Sequence, residues 1–246
     1  MQSNEYALTN LNGSTVSLGE LLSAQELFQS TEIPIFMIPG YQRNYKWNKE
    51  TAKMLAQDLI TAYTEKKDKS IGLITLYKGP NGSIEVLDGQ QRLISLWLIC
   101  HSIGTPLFQL SFERDTSLDD SEKRPAFVSA LKVPVPDQLN ATTALSDKRR
   151  FQCNFKEISD ICKDIHDPKN FIAFLKKHLR FLLHITNTEP VAEFLNINCH
   201  KTRFSICDRV RSALIIDFGA TKEELAEFSK NTGQIDYKAG ISILFE

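Results

Sequence analysis

The stretch IEVLDGQQRLISLWLICHSI, residues 84–103, determines the fold prediction. Its apolar run at 84–87 predicts a strand, and the apolar residues on nearly every face of 93–103 predict a buried helix. Between the two lies the short polar turn Asp-Gly-Gln-Gln-Arg. A second β-rich run at 71–77 and the turn residues Gly-Pro-Asn-Gly at 79–82 indicate that the strand before the helix is the returning strand of a hairpin.

The residues before this hairpin complete a mixed pattern of strands and helices. Residues 16–29 predict a short amphipathic helix, and 33–38 predict an edge or entry strand that Pro34 interrupts. Asn48 is a favourable N-cap, and apolar residues at helical spacing predict a helix over 49–66. The expected fold class is therefore α+β, with a small mixed sheet and helices.

The remainder of the chain predicts a mainly helical part. A polar stretch with several prolines at 115–150 predicts an irregular connection. Helical spacing follows at 151–165, and the Asp-Pro pair at 167–168 predicts the start of a second helix. The apolar stripe of that second helix comprises Phe171, Leu175, Leu179 and Leu182. We therefore expect an α/β part over 1–114, the connection, and a helical part over 151–246, whose apolar ending ISILFE suggests that the parent protein continues.

Composition excludes several broad classes of protein. Hydrophobic residues make up 42% and charged residues 24%, which are ordinary globular values and exclude disordered, collagen-like and membrane-spanning chains. The formal net charge of -1 argues against a protein that coats nucleic acid through bulk charge, so an anion site must be a local cluster. Five Cys without a CxxC motif and the absence of a signal peptide favour a reducing, cytoplasmic location without membrane association.

The turn DGQQR combines the features of an anion-binding site. The first backbone N–H groups of a buried helix have no partner within the helix, and the helix dipole adds partial positive charge there. Gly89 allows a sharp turn and the close approach of a ligand. Gln90, Gln91 and Arg92 place amide and guanidinium donors around the same point, which suits phosphate. Asp88 could orient the arginine, hold a Mg²⁺ ion or accept a hydrogen bond from a sugar hydroxyl. In the alternative interpretation, Asp88 is only an N-cap and Arg92 only a surface charge.

A second polar cluster lies in the loop IPGYQRNYKW, residues 38–47. Its aromatic and donor side chains are Tyr41, Gln42, Arg43, Tyr45 and Trp47. Aromatic faces for stacking and directional donors are typical of sites that bind a base or a nucleotide. The structural alternative is that Trp47 packs as a hydrophobic staple before the Asn48 cap and that Tyr41 lies in the core. We favour the structural role for Trp47 and a functional role for the Gln-Arg pair.

Together the two motifs resemble a known family. IPGYQRNYKW and, further along, VLDGQQRLISL resemble the N-terminal domain of GmrSD-type modification-dependent restriction enzymes, which is related to the ParB/sulfiredoxin fold. Ile-Ser at 94–95 stands where the family signature has Thr-Thr. A third family element is only faintly present at 186–217, where Asn198 and Asp208 fall but Cys-His at 199–200 replaces the expected Arg-Gly.

The resemblance implies an NTP-binding and NTP-hydrolysing domain that regulates a nuclease domain outside this chain, in a prokaryotic anti-phage restriction system. The implied cofactor is NTP with Mg²⁺, and the implied partners are DNA, in some relatives modified DNA, and the nuclease domain or subunit. The residues carried over for catalysis are Asp88, Gln91 and Arg92. Those carried over for nucleotide and phosphate binding are Gln42, Arg43, Gly89, Gln90 and Arg92. Tyr41 and Tyr45 are carried over as residues that sense DNA or a base.

Two other functions stay open at this point. The altered third element favours a non-enzymatic DNA-sensing or protein-interaction module on the same scaffold. A direct DNA nickase that uses Asp88 is the other: Glu85 and Asp88 could mimic a two-carboxylate metal site, but no lysine completes that arrangement in the sequence. The chain has no P-loop, which excludes a Walker-type NTPase, and no HExxH motif. A zinc site is not expected, because the spacing matches no common pattern for His184, Cys199, His200 and Cys207. If the two motifs form one site, Arg92 faces the same cavity as Gln42 and Arg43.

Overall fold

The structure is a computed structural model that describes residues 7–28, 33–79, 82–113 and 147–198 of the 246-residue chain. In chain order the elements are α1 (Leu8–Leu11), β1 (Thr15–Ser17), α2 (Leu18–Leu22), the 3₁₀ helix Gln25–Leu27, β2 (Ile35–Ile38), α3 (Lys49–Glu65), β3 (Lys69–Lys78), β4 (Ile84–Asp88), α4 (Gln90–Ser102), β5 (Gln109–Phe112), α5 (Asp147–Cys162), α6 (Pro168–His178), β6 (Leu179–Thr186) and α7 (Pro190–Asn198).

The six strands form one mixed sheet in the order β1-β6-β3-β4-β2-β5. β3 pairs antiparallel with β4, as the hairpin prediction requires, and β1 pairs antiparallel with β6. The other neighbours are parallel: β3 with β6, β2 with β4, and β2 with β5. The α+β class is confirmed, and β4, the strand that leads into DGQQR, lies in the interior of the sheet.

α4 is the buried helix that the apolar stretch predicts. Leu93, Leu96 and Cys100 have no exposed surface, and Trp97 is 3% exposed. Both α3 and α4 pack against α5, which covers them from the second half of the chain. Full burial of an aliphatic side chain of this size stabilises a fold by about 1.5–3 kcal/mol. α4 is therefore anchored along its whole length, and its first turn is held in a fixed position.

The predicted helix caps are present. The side chain of Asn48 accepts a hydrogen bond from the Thr51 N–H at 2.8 Å and starts α3. The side chain of Asp167 accepts from the Asn170 N–H at 3.0 Å and starts α6, with Pro168 in the first turn. These short-range signals predicted the helix starts because a cap depends only on residues three positions apart.

The helix predicted over 16–29 is wrong. The segment contains β1, then α2, then the 3₁₀ helix. Ser17 explains the break, because its hydroxyl accepts from the Glu20 N–H at 3.2 Å while its own N–H donates to the Glu20 carboxylate at 2.6 Å. This reciprocal capping box starts a helix only after residue 17 and leaves the preceding residues to pair with β6.

The continuation of the second helical stripe through Leu179 and Leu182 is also wrong. α6 ends at His178, and the next eight residues form β6 between β1 and β3. Along β6 the buried side chains alternate, with Leu179, Phe181 and Leu183 unexposed and Leu182 45% exposed. Leucines at spacing three to four fit both a helix and part of a strand, and pairing with the sheet decided between them.

Some sequence predictions lie partly or wholly outside the described residues. The last residues of the connection predicted over 115–150 are helical, since α5 begins at Asp147. The rest of that connection and the third family element beyond residue 198, with Asp208, lie outside. Among the residues that the structure describes, no helix combines the length and apolar character needed to cross a membrane.

The alternation along β6 predicts different costs for two adjacent leucines. Leu183→Ala should lower the free energy of unfolding by about 2–5 kcal/mol, because it leaves a cavity in the core. Leu182→Ala, the matched control, should cost about 1 kcal/mol or less, because its side chain is half exposed. Urea unfolding followed by circular dichroism measures both. Equal losses, or a larger loss for Leu182→Ala, would contradict the strand assignment.

Candidate functional site

The turn between β4 and α4 is built around Gly89. Its φ of +94° is a conformation that side-chain-bearing residues rarely adopt, and an added Cβ would lie 3.0 Å from Ile74 Cγ1. Gly89 is also the N-cap of α4, and no side chain of the described residues caps the helix there. The alternative interpretation of Asp88 as the N-cap is therefore wrong. Within the described part of the chain, the first backbone N–H groups of the helix have no side-chain cap.

Gln91 joins this turn to the loop 38–47. Its Oε1 accepts hydrogen bonds from the backbone N–H groups of Lys46 at 2.6 Å and Trp47 at 3.2 Å. Its Nε2 donates to the carbonyl of Asn44 at 3.3 Å. The side chain is buried, with 7% of the residue exposed. One carboxamide thus holds three backbone groups of a loop that lies far away in sequence.

Two further glutamines connect the same segments. Gln90 Nε2 donates to the carbonyl of Arg43 at 2.9 Å. In the reverse direction, Gln42 Nε2 donates to the carbonyls of Val86 at 2.8 Å and Leu87 at 2.7 Å in β4. The two sequence motifs therefore form one unit. All three glutamines use side-chain amides to position backbone, a structural role that the sequence analysis did not assign to them.

Arg92 is held in a partly buried position on the β3 side of the turn. Its Nη1 donates to the carbonyl of Ile71 at 2.6 Å, and its Nη2 lies 3.4 Å from Asp88 Oδ2. The side chains of Arg92 and Asp88 are 23% and 17% exposed. Burial lowers the pKa of the guanidinium, and Asp88 opposes that change. Arg92 is not the freely solvated surface charge of the alternative interpretation.

The two cations of the loop differ from Arg92 in their exposure. Arg43 and Lys46 are exposed, although their backbone groups are bonded to the glutamines of α4. Arg150 of α5 donates to the carbonyl of Lys46 at 3.4 Å. Among the described residues, Arg92 bonds to the Ile71 carbonyl and the Asp88 side chain, while Gln42 bonds to the carbonyls of Val86 and Leu87. A cavity shared by Arg92, Gln42 and Arg43 stays a prediction.

Both tyrosines of the loop are buried, each with 1% exposure. The Tyr41 hydroxyl donates to Glu85 Oε2 at 3.4 Å, and its ring centroid lies 5.6 Å from that of Phe194 in α7. Burial raises the pKa of Tyr41, and the nearby Glu85 carboxylate adds to the rise. The Tyr45 hydroxyl lies 2.6 Å from the Ser95 hydroxyl, and the centroids of the Tyr45 and Phe151 rings are 5.2 Å apart. In this conformation neither ring offers an open face for stacking a base.

Trp47 has the structural role that the sequence favoured. It packs against the hydrophobic core. Its backbone N–H donates to Gln91 Oε1, and its backbone carbonyl accepts from Asn154 Nδ2 at 2.9 Å.

No group of three or more His, Cys, Asp or Glu side chains that could hold a metal ion occurs in the described part of the chain. Of the four residues considered for zinc, His184 is the one described, and its Nε2 lies 3.8 Å from Glu193 Oε1.

Ile71 and Gly72 of β3 are site residues that the sequence analysis missed. The Ile71 carbonyl holds Arg92, and a Cβ on Gly72 would lie 2.7 Å from Arg92 Nη1. A signal was present, since an isolated glycine inside a predicted strand indicates a bulge or a close approach of another group. It could not identify Arg92 as the group that approaches.

The Gln91 bonds predict a measurable loss of stability when they are removed. Gln91→Ala should lower the free energy of unfolding by about 1–3 kcal/mol, because it leaves the Lys46 and Trp47 N–H groups without their acceptor. It should also speed tryptic cleavage after Arg43 and Lys46, whose side chains are already exposed. Gln57→Ala on the exposed face of α3 is the control, with an expected change of about 0.5 kcal/mol or less. Unchanged proteolysis in Gln91→Ala would contradict the role of Gln91 in holding the loop 38–47.

Comparison with known proteins agrees with the two motifs. The family described as GmrSD restriction endonuclease, N-terminal domain, matches residues 24–219, which is most of the chain. The matched range contains both the loop 38–47 and the DGQQR turn. No curated protein matches the chain. The chain therefore belongs to the family of GmrSD restriction endonuclease N-terminal domains and is part of a restriction system.

Proposed function

We propose that this chain is an NTP-binding and NTP-hydrolysing regulatory domain that controls a nuclease domain outside it, and that the DGQQR turn binds the phosphates. The observation that carries the proposal is that Arg92 is partly buried while only some of its N–H donors are bonded. A guanidinium has five N–H donors. In the described residues two of them have partners, the Ile71 carbonyl and Asp88, and the side chain is only 23% exposed. A partly desolvated cation with donors left over favours an added anion.

The start of α4 supports phosphate as that anion. Gly89 places no side chain over the first turn, and in the part of the chain that the structure describes no other side chain caps it. Backbone N–H groups and the positive end of the helix dipole then lie beside the Arg92 cation. Asp88 holds Arg92, and Gln42, Gln90 and Gln91 keep the loop 38–47 against the turn. The exposed Arg43 and Lys46 supply further positive charge at the surface of that loop.

The proposal includes a Mg²⁺ ion that arrives with the nucleotide. Asp88 is the one carboxylate of the turn, and Mg²⁺ at phosphate sites is commonly held by one or two carboxylates while the phosphates supply other ligands. When bound, the ion would withdraw charge from the phosphate oxygens. In this proposal Asp88 would hold Mg²⁺ and orient Arg92, whose guanidinium binds the phosphate oxygens.

A second candidate is a domain that binds nucleotide or DNA without turnover. Gln91, which the resemblance assigns to catalysis, is already bonded through both its oxygen and its nitrogen to the loop backbone. Phosphate release from ATP, GTP, CTP and UTP with Mg²⁺ separates the two candidates. Release above background supports hydrolysis, whereas nucleotide binding without release favours the second candidate.

Arg92→Ala should abolish most nucleotide binding while changing stability little. A charge-assisted arginine–phosphate contact in a partly buried site contributes about 2–3 kcal/mol, which corresponds to a loss of affinity of about 30- to 150-fold. Removal of the partly exposed ion pair with Asp88 should cost about 1 kcal/mol or less. Arg180→Ala, which removes ion pairs of β6 with Asp68 and Glu20, is the control that should bind normally. Calorimetry that finds unchanged affinity in Arg92→Ala would count against the assignment.

The chain alone should not cut DNA. Metal-dependent phosphodiester hydrolysis usually employs several carboxylates or histidines around the ion, whereas the DGQQR turn offers the single carboxylate Asp88. Supercoiled plasmid should therefore remain intact with Mg²⁺ or Mn²⁺, with and without NTP. Robust nicking that disappears in Asp88→Ala would instead establish the direct-nickase function.

A further inference from the structure

Gly72 has an unusual position in β3. It lies in the strand with a φ of +86°, at a point where the pairing register with β6 shifts between Ser70 and Leu73. A Cβ built on Gly72 would lie 2.7 Å from Arg92 Nη1 and 3.9 Å from its Cζ. The preceding carbonyl, of Ile71, accepts from the same Nη1 at 2.6 Å. The guanidinium of the DGQQR motif therefore rests directly on the backbone of a bulged strand.

We propose that Gly72 is a positioning residue that sets the direction in which Arg92 presents to a phosphate those N–H groups that have no partner among the described residues. The ligand in this inference rests on the proposed function, whereas the placement of Arg92 by Gly72 does not. Gly89 imposes no such limit, because its added Cβ would lie 3.6 Å from Arg92 Nη2, an ordinary van der Waals distance. The Ile71 carbonyl and the bare backbone of Gly72 thus form a seat for the guanidinium.

The seat acts by preorganisation. With Nη1 fixed on the Ile71 carbonyl and Nη2 near Asp88, the planar guanidinium has one orientation, and its remaining donors have fixed directions. A group held in its bound geometry loses less conformational freedom when the ligand arrives. A side chain at position 72 would occupy the space of Nη1 and displace the guanidinium, which is the far end of a flexible side chain. The fold itself need not move.

The competing explanation is that position 72 requires glycine only because of its positive φ. Gly82 separates the two explanations, because its φ of +81° is nearly the same but an added Cβ would meet no atom of the described residues within 4 Å. Gly72→Ala and Gly82→Ala therefore impose a similar backbone strain, and only Gly72→Ala creates the contact with Arg92.

The binding experiment uses the 246-residue chain and titrates ATP, GTP, CTP and UTP with Mg²⁺ by calorimetry. Gly72→Ala should weaken binding of the nucleotide that the wild type prefers by about 10- to 100-fold, the loss expected for a misplaced charged hydrogen bond. Gly82→Ala should bind within about twofold of the wild type. In an Arg92→Ala background, Gly72→Ala should cause no further loss, because the residue through which it acts is absent. Equal affinity of Gly72→Ala and Gly82→Ala, or an additive loss in the double variant, would overturn the inference.

A second readout needs no nucleotide. In the wild type, the Ile71 bond should slow rotation of the Arg92 guanidinium and give resolved side-chain N–H signals in ¹⁵N NMR spectra, assigned through their loss in Arg92→Lys. These signals should persist in Gly82→Ala and collapse in Gly72→Ala.

If no nucleotide binds to the wild type, the proposed function fails while this readout still decides the role of Gly72. Should Gly72→Ala not fold, Gly72→Asn replaces it, because asparagine tolerates positive φ, with Gly82→Asn as control. Arg92 signals that stay resolved in the folded Gly72 variant would overturn the inference.

Discussion

The hydrogen bond from the Lys46 N–H to Gln91 Oε1, 2.6 Å long, is the contact on which the candidate site depends. It is the shortest of the bonds by which α4 holds the backbone of the loop 38–47. Because Gln91 lies in the first turn of a helix that is buried along its length, its amide has a rigid support. Without that support, the loop would have to satisfy its backbone groups with water, and the Gln-Arg pair would lose its fixed relation to the DGQQR turn. Fold stability and site geometry therefore share the same few hydrogen bonds.

The placement of β6 adds a second constraint. β3 lies between β6 and β4, and it carries the Ile71 carbonyl that receives Arg92. The shift in register between β3 and β6 occurs at this point, where Gly72 has its positive φ. A strand from the second half of the chain thus flanks the segment on which the arginine of the first half rests. The site is a product of the whole sheet rather than of the two motifs alone.

Local signals made much of this arrangement predictable. Asn48 and Asp167 predicted helix starts, the hairpin of β3 and β4 followed from its turn residues, and the apolar run after DGQQR predicted a buried helix. Periodicity failed where two structures share a spacing: the leucines at 179 and 182 fit a helix, yet pairing with β1 and β3 made the segment a strand. The sequence motifs pointed to Gln42, Gln90 and Gln91 but did not predict the bonds of their side chains to the backbone. Such bonds join segments that are distant in sequence. A local sequence pattern cannot predict which backbone carbonyl a side-chain amide will contact.

The bonds from Gln90 and Gln91 to the loop recognise peptide groups and not side chains. Gln90 and Gln91 bond to the main chain of Arg43, Asn44, Lys46 and Trp47. Consequently, the outward-facing residues of the loop can be replaced during evolution without disturbing the path of its backbone. The result is a division in which a constant frame carries a variable surface. Arg43 and Lys46 stand at the positions where that variation has the least structural cost.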